Sequence, residues 1–398
     1  MRLRQGPLVA YIATVHGLIH TIEFTYAVLL SRIEDEFGAG LFALGALATV
    51  FAFAFGFSAL PSGLLVDRLG TQRVLLICFS LASVAALLTA TAPNPAVLGV
   101  FLALLGLSVG LYHPAGLSFI AQATERRGLA LGWHGVVGNL GIAVAPVVAV
   151  GVALALDWRW AYVLLALLCE IVALSLRLVR FEPLPAARPL AEVEEAAPAP
   201  SRRMRARALL PLLLVYGVFV LNGFVYRGSL TFLPKHFENT LGEGWLTSSL
   251  ATLALLGGAA GQLVGGALSE RYRLERLALP MTLALLPALL LMGTTGGAFL
   301  VVFSAAFVFA NFSGQPVYTG LIADYTPARA MGRSYGISFF AGFGLGSSAA
   351  AIAGFFAGRW GTDSVFLALA CVAAVTSLLA FAIWRLGERA AREGAADD

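Results

Sequence analysis

Apolar segments of about 20 residues alternate with short polar segments along most of this chain of 398 residues. A helix of that length, rising about 1.5 Å per residue, crosses the roughly 30 Å hydrocarbon core of a bilayer. The residue-by-residue alternation typical of β-strands is absent from the sequence, so helices must satisfy the backbone hydrogen bonds of these segments. The pattern predicts an all-α membrane protein with twelve spans, at about residues 8–31, 41–65, 73–92, 96–120, 129–155, 159–179, 208–233, 245–269, 277–295, 298–322, 332–356 and 363–385.

The composition agrees with an integral membrane protein. Hydrophobic residues make up 59% of the chain and charged residues 12%, which is too apolar for a domain with a hydrated surface. The first apolar segment is full length and contains His and Glu, so we expect it to remain as a span and not to be removed as a signal peptide. Most of the 26 basic residues share a side with the two chain ends. The positive-inside rule therefore predicts that both termini lie in the cytoplasm, and we expect a multi-pass protein of the bacterial inner membrane.

A polar segment divides the chain into two halves. Residues 181–207 are rich in Pro, Ala, Glu and Arg, which predicts a cytoplasmic linker between one six-helix bundle at 1–180 and a second at 208–398. Several positions recur in the second half at offsets of 203 or 202 residues. Such duplicated halves are typical of transporters that move one bundle against the other around a central site. The recurring positions are Gly63, Asp67, Arg68, Arg73 and His113-Pro114, matched by Gly266, Glu270, Arg271, Arg276 and Gln315-Pro316.

The turn between the second and third predicted spans carries a specific motif. It reads Gly63-Leu-Leu-Val-Asp67-Arg68-Leu-Gly70-Thr-Gln-Arg73 and resembles the signature loop of the major facilitator superfamily. The resemblance implies two pseudo-symmetric bundles around a central cavity, with a latch at this turn that closes in the outward-facing state. A charge cluster that only sets topology is the alternative. We assign these residues, with Glu270 and Arg271 in the second half, to a cytoplasmic gating motif.

Shorter motifs indicate a branch of the superfamily. The fosmidomycin-resistance-like branch is similar to this chain in the run Gly110-Leu-Tyr-His113-Pro114-Ala-Gly116, in Arg126-Arg127-Gly128 and in the segment from Gly138 to Pro146. The resemblance implies efflux of drug-like or phosphonate-like compounds. The segment from Gly138 to Pro146 is also similar to an antiporter motif, although Ala145 stands where a Gly usually precedes the Pro. Support for export from this segment is therefore weak.

Three ionisable residues share one face of the first predicted helix. His16, His20 and Glu23 have the spacing i, i+4, i+7. Ionisable groups in a span normally face a bundle interior or a wet cavity, because contact with lipid is costly. We expect His113 and His134, in the fourth and fifth spans, at similar depth. The sequence therefore predicts a polar chamber in the N-terminal half, with Asn139 as a further candidate.

Three interpretations of this chamber stay open. In the first interpretation the chamber is a proton-coupling relay, in which Glu23 carries the proton and the histidines modulate this transfer or contact the substrate. Alternatively, imidazoles four residues apart and a carboxylate ligate a transition metal, or the groups form a hydrogen-bonded network that only holds helices together. Because no Cys, Met or Asp joins the cluster, we assign no metal site and expect no cofactor.

The second half also places polar residues inside its spans. Arg227 lies at membrane depth, where its planar guanidinium suits an anionic substrate or neutralises Glu23 across the cavity. The alternative is that Arg227 extends to the outer surface beside Lys235. The further candidates for substrate or coupling roles are Asn222, Tyr226, Asn311 and Gln315.

Together these features predict a secondary active transporter of a small organic solute. Alternating access, coupling to protons and a bias towards efflux are the expected properties, with import of an organic anion or metabolite as the alternative. A transition-metal transporter and a non-transporting scaffold are less favoured interpretations. An enzyme is not expected, because the sequence offers no nucleophile with a base and no cofactor loop. We expect a monomer whose partners are its substrate, protons and the lipid bilayer, with no nucleic acid.

Overall fold

A computed structural model describes residues 5–123, 127–179, 202–326 and 331–397 of the chain. Within these ranges, twelve helices are long and apolar enough to cross a membrane and no residue is in a β-strand. The predicted all-α fold with twelve spans is confirmed. The helices are α1 (Gln5–Val28), α2 (Leu41–Leu69), α3 (Thr71–Ala90), α4 (Pro95–Gly110 and Tyr112–Ala123), α5 (Arg127–Ala155), α6 (Trp158–Leu178), α7 (Arg202–Leu241), α8 (Trp245–Leu255 and Gly257–Ser269), α9 (Leu274–Met292), α10 (Gly297–Tyr325), α11 (Met331–Phe339 and Ser348–Trp360) and α12 (Thr362–Asp397).

Three of these helices are interrupted, and a short helix, Leu30–Phe37, follows α1. In α4 the break falls between Gly110 and Tyr112. Pro114 has no N–H to donate to the carbonyl of Gly110, so the regular hydrogen-bond ladder cannot continue across this point. In α11 a π-helical turn, Phe340–Gly344, and a 3-10 turn, Leu345–Ser347, join the two segments. The break in α4 places His113 in the first turn of the second segment.

Several boundaries differ from the sequence prediction, among them both ends of α7. This helix begins at Arg202, inside the stretch predicted as linker, because its Arg, Met and Ala residues favour helix. It also continues past Pro234 to Leu241, whereas the prediction ended the span just before that proline. Prolines are tolerated within membrane helices because neighbouring groups satisfy the freed backbone. Residues 180–201, the rest of the predicted linker, lie outside the described residues.

Glycines let the helices of each half pack closely. A side chain at Gly141 of α5 would collide with the backbone of Gly17 in α1, and one at Gly223 of α7 would collide with Gly342 in α11. Small residues allow such close approach between membrane helices. The pairs α1–α5 and α7–α11 occupy equivalent places in the two halves. The packing therefore repeats, as the duplicated sequence motifs predict.

The two halves meet along α2 and α11, along α5 and α8, and between α1 and α7. Thr49 of α2 donates a hydrogen bond to the carbonyl of Ser347 at 2.8 Å and accepts one from the Ala351 N–H. The number of crossings is even, so both described chain ends lie on one side of the bundle. We call this the terminal side and the opposite side the far side.

Adjacent glycines of α8 provide a test of this packing. Substituting Gly265 by Ala should destabilise the protein by about 1–3 kcal/mol, because a Cβ there would lie 2.8 Å from the Cα of Ser313 in α10. A Cβ at Gly266 would meet nothing within 4 Å. Gly266→Ala should therefore leave stability unchanged or raise it slightly. The apparent melting temperature of each variant in detergent distinguishes them, and equal values would contradict the α8–α10 contact.

Candidate functional site

A buried ion pair joins the two halves at the centre of the molecule. The carboxylate of Glu23 in α1 accepts a hydrogen bond from Nη2 of Arg227 in α7, at 2.5 Å from Oε1. The other oxygen, Oε2, lies 2.6 Å from Nδ1 of His20. Glu23 and Arg227 are only 6% and 8% exposed. Arg227 therefore does not extend to the surface, and it pairs with Glu23 inside the protein, one of the three possibilities that the sequence left open.

The ion pair lines a small cavity between the halves. Its volume, about 20 Å³, accommodates about one water molecule. Arg227 keeps an unused donor, since its buried Nε has no hydrogen-bond partner among the residues the structure describes. Its guanidinium carbon lies 5.5 Å from the ring centre of Tyr226 and 6.0 Å from that of Phe343. The other lining residues are Phe24, Tyr26, Ala27, Ala48, Phe51, Ile142, Leu230 and Thr231.

Four buried histidines cluster beside Glu23, towards the terminal side of this cavity. The rings of His16 and His134 stack with centres 3.7 Å apart and planes 10° apart. The ring of His16 also meets that of His20 at 4.5 Å and that of His113 at 5.1 Å. The sequence predicted a shared polar chamber in the N-terminal half, and the structure brings these four histidines together with Glu23.

Hydrogen bonds set the tautomers of two of these rings. Nδ1 of His16 lies 2.8 Å from the carbonyl oxygen of His134, which can only accept, so this nitrogen carries the proton. The Tyr112 hydroxyl donates to the carbonyl of Ile12 at 2.5 Å, which leaves its oxygen to accept from Nε2 of His134 at 3.2 Å. His134 is thus held by Tyr112. Nε2 of His16 and Nε2 of His113 are buried without a partner in the described part of the chain.

Gly138 of α5 makes room for this arrangement. A Cβ at this position would lie 2.5 Å from Cε1 of His16 and 3.0 Å from Cδ2 of His20. Any side chain at 138 would therefore displace both rings. Gly138, which begins the motif from Gly138 to Pro146, is thus required here because the two imidazole rings pack against its backbone.

The remaining polar candidates are dispersed. Asn139 lies at the α5–α8 contact, where its Nδ2 donates to the carbonyl of Gly135 at 3.0 Å. Asn222 and Asn311 are buried, and Gln315 is half-buried. In the ranges the structure describes, none of these side chains hydrogen-bonds to Glu23, Arg227 or a histidine. Only Tyr226 among the additional C-terminal candidates lines the cavity.

The far side is closed by charged and polar contacts between the halves. Lys235 at the end of α7 pairs with Glu34 at 2.7 Å. Glu238 accepts a hydrogen bond from Ser31 and lies 3.8 Å from Arg32. The sequence prediction missed these contacts, because nothing in the spacing of these residues shows that the two helix ends meet.

The residues of the predicted gating motif lie at the terminal side. Gly70 links α2 to α3 with φ +81°, a left-handed conformation that favours glycine. Asp67, Arg68 and Arg73 are exposed, as are Glu270 and Arg271 at the end of α8. Among the described residues, none of the five forms an ion pair.

Aromatic residues around the site were also missed. Phe51 and Phe55 of α2, which are not among the predicted site residues, are buried, and Phe55 contacts His113 with ring centres 5.4 Å apart. Phe53 and Phe57 have the same i, i+4 spacing but are exposed, so the spacing alone does not show which pair faces the site. Phe343, in the π-helical turn of α11, contacts His113 as well.

Comparison with known proteins identifies the family. The family model described as Major Facilitator Superfamily matches residues 12–351 and 249–397. The chain belongs to this superfamily. A solved bacterial homologue of the human lysosomal transporter Spinster, in an inward-facing and occupied conformation, has a TM-score of 0.78 with 14% identity, covering 96% of this chain and 97% of that one. This likeness concerns the fold and agrees with the predicted two-bundle architecture.

Two curated relatives are similar over part of their length. The probable sulfoacetate transporter SauU of Cupriavidus necator is 27% identical over 256 residues, which cover 60% of this chain and 59% of the relative. The puromycin resistance protein pur8 of Streptomyces alboniger is 29% identical over 155 residues, 38% of this chain and 31% of the relative. The chain thus spans about three fifths and one third of these relatives. They support the prediction of a transport protein rather than an enzyme, whereas the fosmidomycin-resistance-like branch stays a prediction.

Proposed function

We propose that this protein is a secondary active transporter that moves a small organic anion together with a proton by alternating access. The observation that carries the proposal is the buried pair of Glu23 and Arg227, which links the two halves beside the cavity. Buried charges in a membrane protein are costly and mark transport pathways and proton relays. One group of this pair can take up a proton and the other suits an anion.

The pair couples these two events through charge. While Glu23 is ionised, it neutralises Arg227. When Glu23 takes up a proton, the guanidinium loses its counter-charge in a low-dielectric site, where an unpaired ion is strongly disfavoured. A carboxylate or sulfonate group then restores neutrality by binding to Arg227, whose fork matches such oxygens. Protonation and anion binding therefore promote each other.

The histidines offer a route for the proton. His20 is already hydrogen-bonded to the carboxylate of Glu23, and His16 and His113 lie beside it. Imidazoles accept and release protons near neutral pH. We assign His20 the transfer of the proton to and from Glu23, with His16 and His113 as its neighbours on the path. His134, which is bonded to Tyr112, keeps a supporting role.

Alternating access requires the closed far side to open and the terminal side to close in turn. The cavity accommodates about one water molecule, so an organic substrate enters only when the halves separate. Breaking the pairs of Lys235 with Glu34 and of Glu238 with Arg32 opens the far side. The exposed Asp67 and Arg68, with Glu270 and Arg271, then form the latch on the terminal side. We retain the predicted cytoplasmic location of this side.

The relatives support an anionic substrate in part. The named substrate of the Cupriavidus relative, sulfoacetate, carries a sulfonate and a carboxylate, both of which suit a guanidinium. A site with Arg227 as its only charged group once Glu23 is protonated matches this chemistry. The substrate class we propose is therefore small carboxylates and sulfonates.

Transport into proteoliposomes tests the proposal. The protein should accumulate labelled sulfoacetate, or another small acid from a panel of carboxylates and sulfonates, when the outside is more acidic than the inside. Accumulation should collapse when a protonophore removes the gradient. Amides or esters of the same acids serve as uncharged controls and should not accumulate. Gradient-independent uptake, or no uptake of any acid, would contradict the proposal.

Proton-driven efflux of a drug-like compound is the second candidate, and it preserves the efflux direction predicted from sequence. The observation that favours this candidate is the aromatic character of the site. Phe51 and Tyr226 line the cavity, and Phe312 packs against Tyr226. A puromycin resistance protein is among the relatives. The two candidates differ in the direction in which the proton moves relative to the substrate. Adding an anion to proteoliposomes should acidify the lumen if anion and proton move together, whereas adding a drug-like cation should alkalinise it if the two exchange.

A further inference from the structure

Three histidines present ring nitrogens to one another inside the N-terminal half. One ring nitrogen each from His16, His20 and His113 lies within 4.8 Å of the other two, and all three residues are buried. Two of them come from one face of α1 and the third from the first turn after the break in α4. Such a cluster of imidazoles, held away from bulk water, is the donor set that Zn²⁺, Cu²⁺ and Ni²⁺ prefer.

The hydrogen bonds of two rings leave their ligand atoms free. His16 donates through Nδ1 to the carbonyl of His134, so its unpartnered Nε2 carries a lone pair. His20 faces the carboxylate of Glu23 with Nδ1, so the ionised carboxylate leaves Nε2 of that ring free as well. A metal-bound histidine usually donates its other ring nitrogen to a carbonyl or carboxylate in this manner. His113 adds a buried Nε2 without a partner.

We propose that His16, His20 and His113 bind one divalent transition-metal ion, with Zn²⁺ as the best fit. The Zn–N distance of about 2.0–2.1 Å places tetrahedral ligand nitrogens about 3.4 Å apart. The present separations of up to 4.8 Å therefore close by modest ring rotations. His134 is excluded as a ligand by its stacking on His16 and its bond to Tyr112. Mg²⁺ and Ca²⁺ are excluded as well, because they prefer oxygen ligands.

The metal has a consequence for transport, and this step rests on the proposed function. A dication bound to the three rings joins α1 to α4 and occupies His20, through which the proposed proton path reaches Glu23. Bound Zn²⁺ should therefore inhibit proton-coupled transport and leave the Glu23–Arg227 pair in place. Binding itself does not depend on what the protein transports, so a failure of the metal site and a failure of the transport proposal are separate results.

Metal titration of the purified protein tests the site. The protein is prepared without a polyhistidine tag, treated with a chelator, and titrated with Zn²⁺ by calorimetry and with Co²⁺ by visible absorption. One equivalent should bind, and Co²⁺ should give the intense bands of tetrahedral coordination. His113→Asn should weaken binding at least tenfold, since loss of even an outer partner typically costs about 10- to 100-fold in metal affinity.

His236 provides the matched control. It is the fifth histidine of the chain, buried in the other half and bonded to Thr362 and to the carbonyl of Met292. His236→Asn should bind one equivalent as the parent does. His113→Asn is the primary variant because Nε2 of His113 makes no hydrogen bond to any described residue, so folding should survive, as size-exclusion chromatography checks. No Co²⁺ bands in the parent, unchanged affinity in His113→Asn, or equal loss in His236→Asn would overturn the site.

Discussion

Glu23→Gln should abolish uphill accumulation of the anionic substrate while substrate exchange continues. Glutamine has nearly the shape of the carboxyl group but cannot bind and release a proton at neutral pH. The variant therefore mimics the protonated state permanently, in which Arg227 is free to hold an anion. Exchange of internal for external substrate needs no net proton movement, so it should survive, whereas accumulation driven by a pH gradient should fall to the level without a gradient.

A thermal readout accompanies this flux assay. Removing the counter-charge of a buried Arg227 should cost about 3–5 kcal/mol in the substrate-free protein. An anionic substrate restores the counter-charge, so its binding should stabilise Glu23→Gln more than it stabilises the parent. Glu36→Gln is the matched control, because Glu36 pairs with Arg159 within the N-terminal half and does not line the cavity. Unchanged uphill transport by Glu23→Gln would remove Glu23 from the coupling mechanism.

Much of this site followed from the spacing of residues in α1. His16, His20 and Glu23 were predicted to share a face because helix geometry alone places residues four and seven apart together. Arg227 lies 204 residues after Glu23, close to the offset of the repeated motifs. A duplicated fold brings such equivalent positions of its first and seventh helices towards each other at the axis. The pairing of Glu23 with Arg227 across the two halves could therefore be predicted from the sequence.

Other parts of the site depend on contacts between helices that cannot be predicted from a single sequence. The tautomers of His16 and His134 follow from a backbone carbonyl and from Tyr112, which become neighbours only when α1, α4 and α5 pack. Glu238 and Ser31 look like ordinary polar residues near helix ends. Asn222, Asn311 and Gln315 resembled the polar residues of α1 in their depth, yet rotation about a helix axis decides what a residue contacts. The hydropathy of the sequence shows how deep in the membrane a residue lies, whereas the rotation of its helix about the helix axis depends on the neighbouring helices.

The break in α4 illustrates the same limit for the fold. The helix breaks just before His113-Pro114, where proline removes one backbone donor. In α7, however, Pro234 lies within a continuous helix. The chemical defect is the same at both positions, and the surroundings decide whether the helix breaks or absorbs it.

Arg227→Gln should selectively weaken anionic substrates. A charge-assisted hydrogen bond contributes about 1.5–3 kcal/mol, which corresponds to about 10- to 100-fold in affinity. Uncharged analogues of the same shape should lose little. Arg227→Lys should lie between the parent and Arg227→Gln, because the ammonium keeps the charge but not the planar fork. Arg159→Gln is the matched control, because Arg159 pairs with Glu36 within the N-terminal half and does not line the cavity.

The double variant separates a substrate role from a structural one. Arg227→Gln alone leaves the Glu23 carboxylate buried beside His20 without its cation, at a cost of about 3–5 kcal/mol. Adding Glu23→Gln removes that charge, so the double variant should be more stable than either single variant. Melting temperatures of the four proteins measure this coupling, and binding assays on the same samples measure anion affinity. Restored stability with anion affinity still lost would assign Arg227 to substrate recognition, whereas equal loss of anionic and uncharged compounds would assign it a structural role.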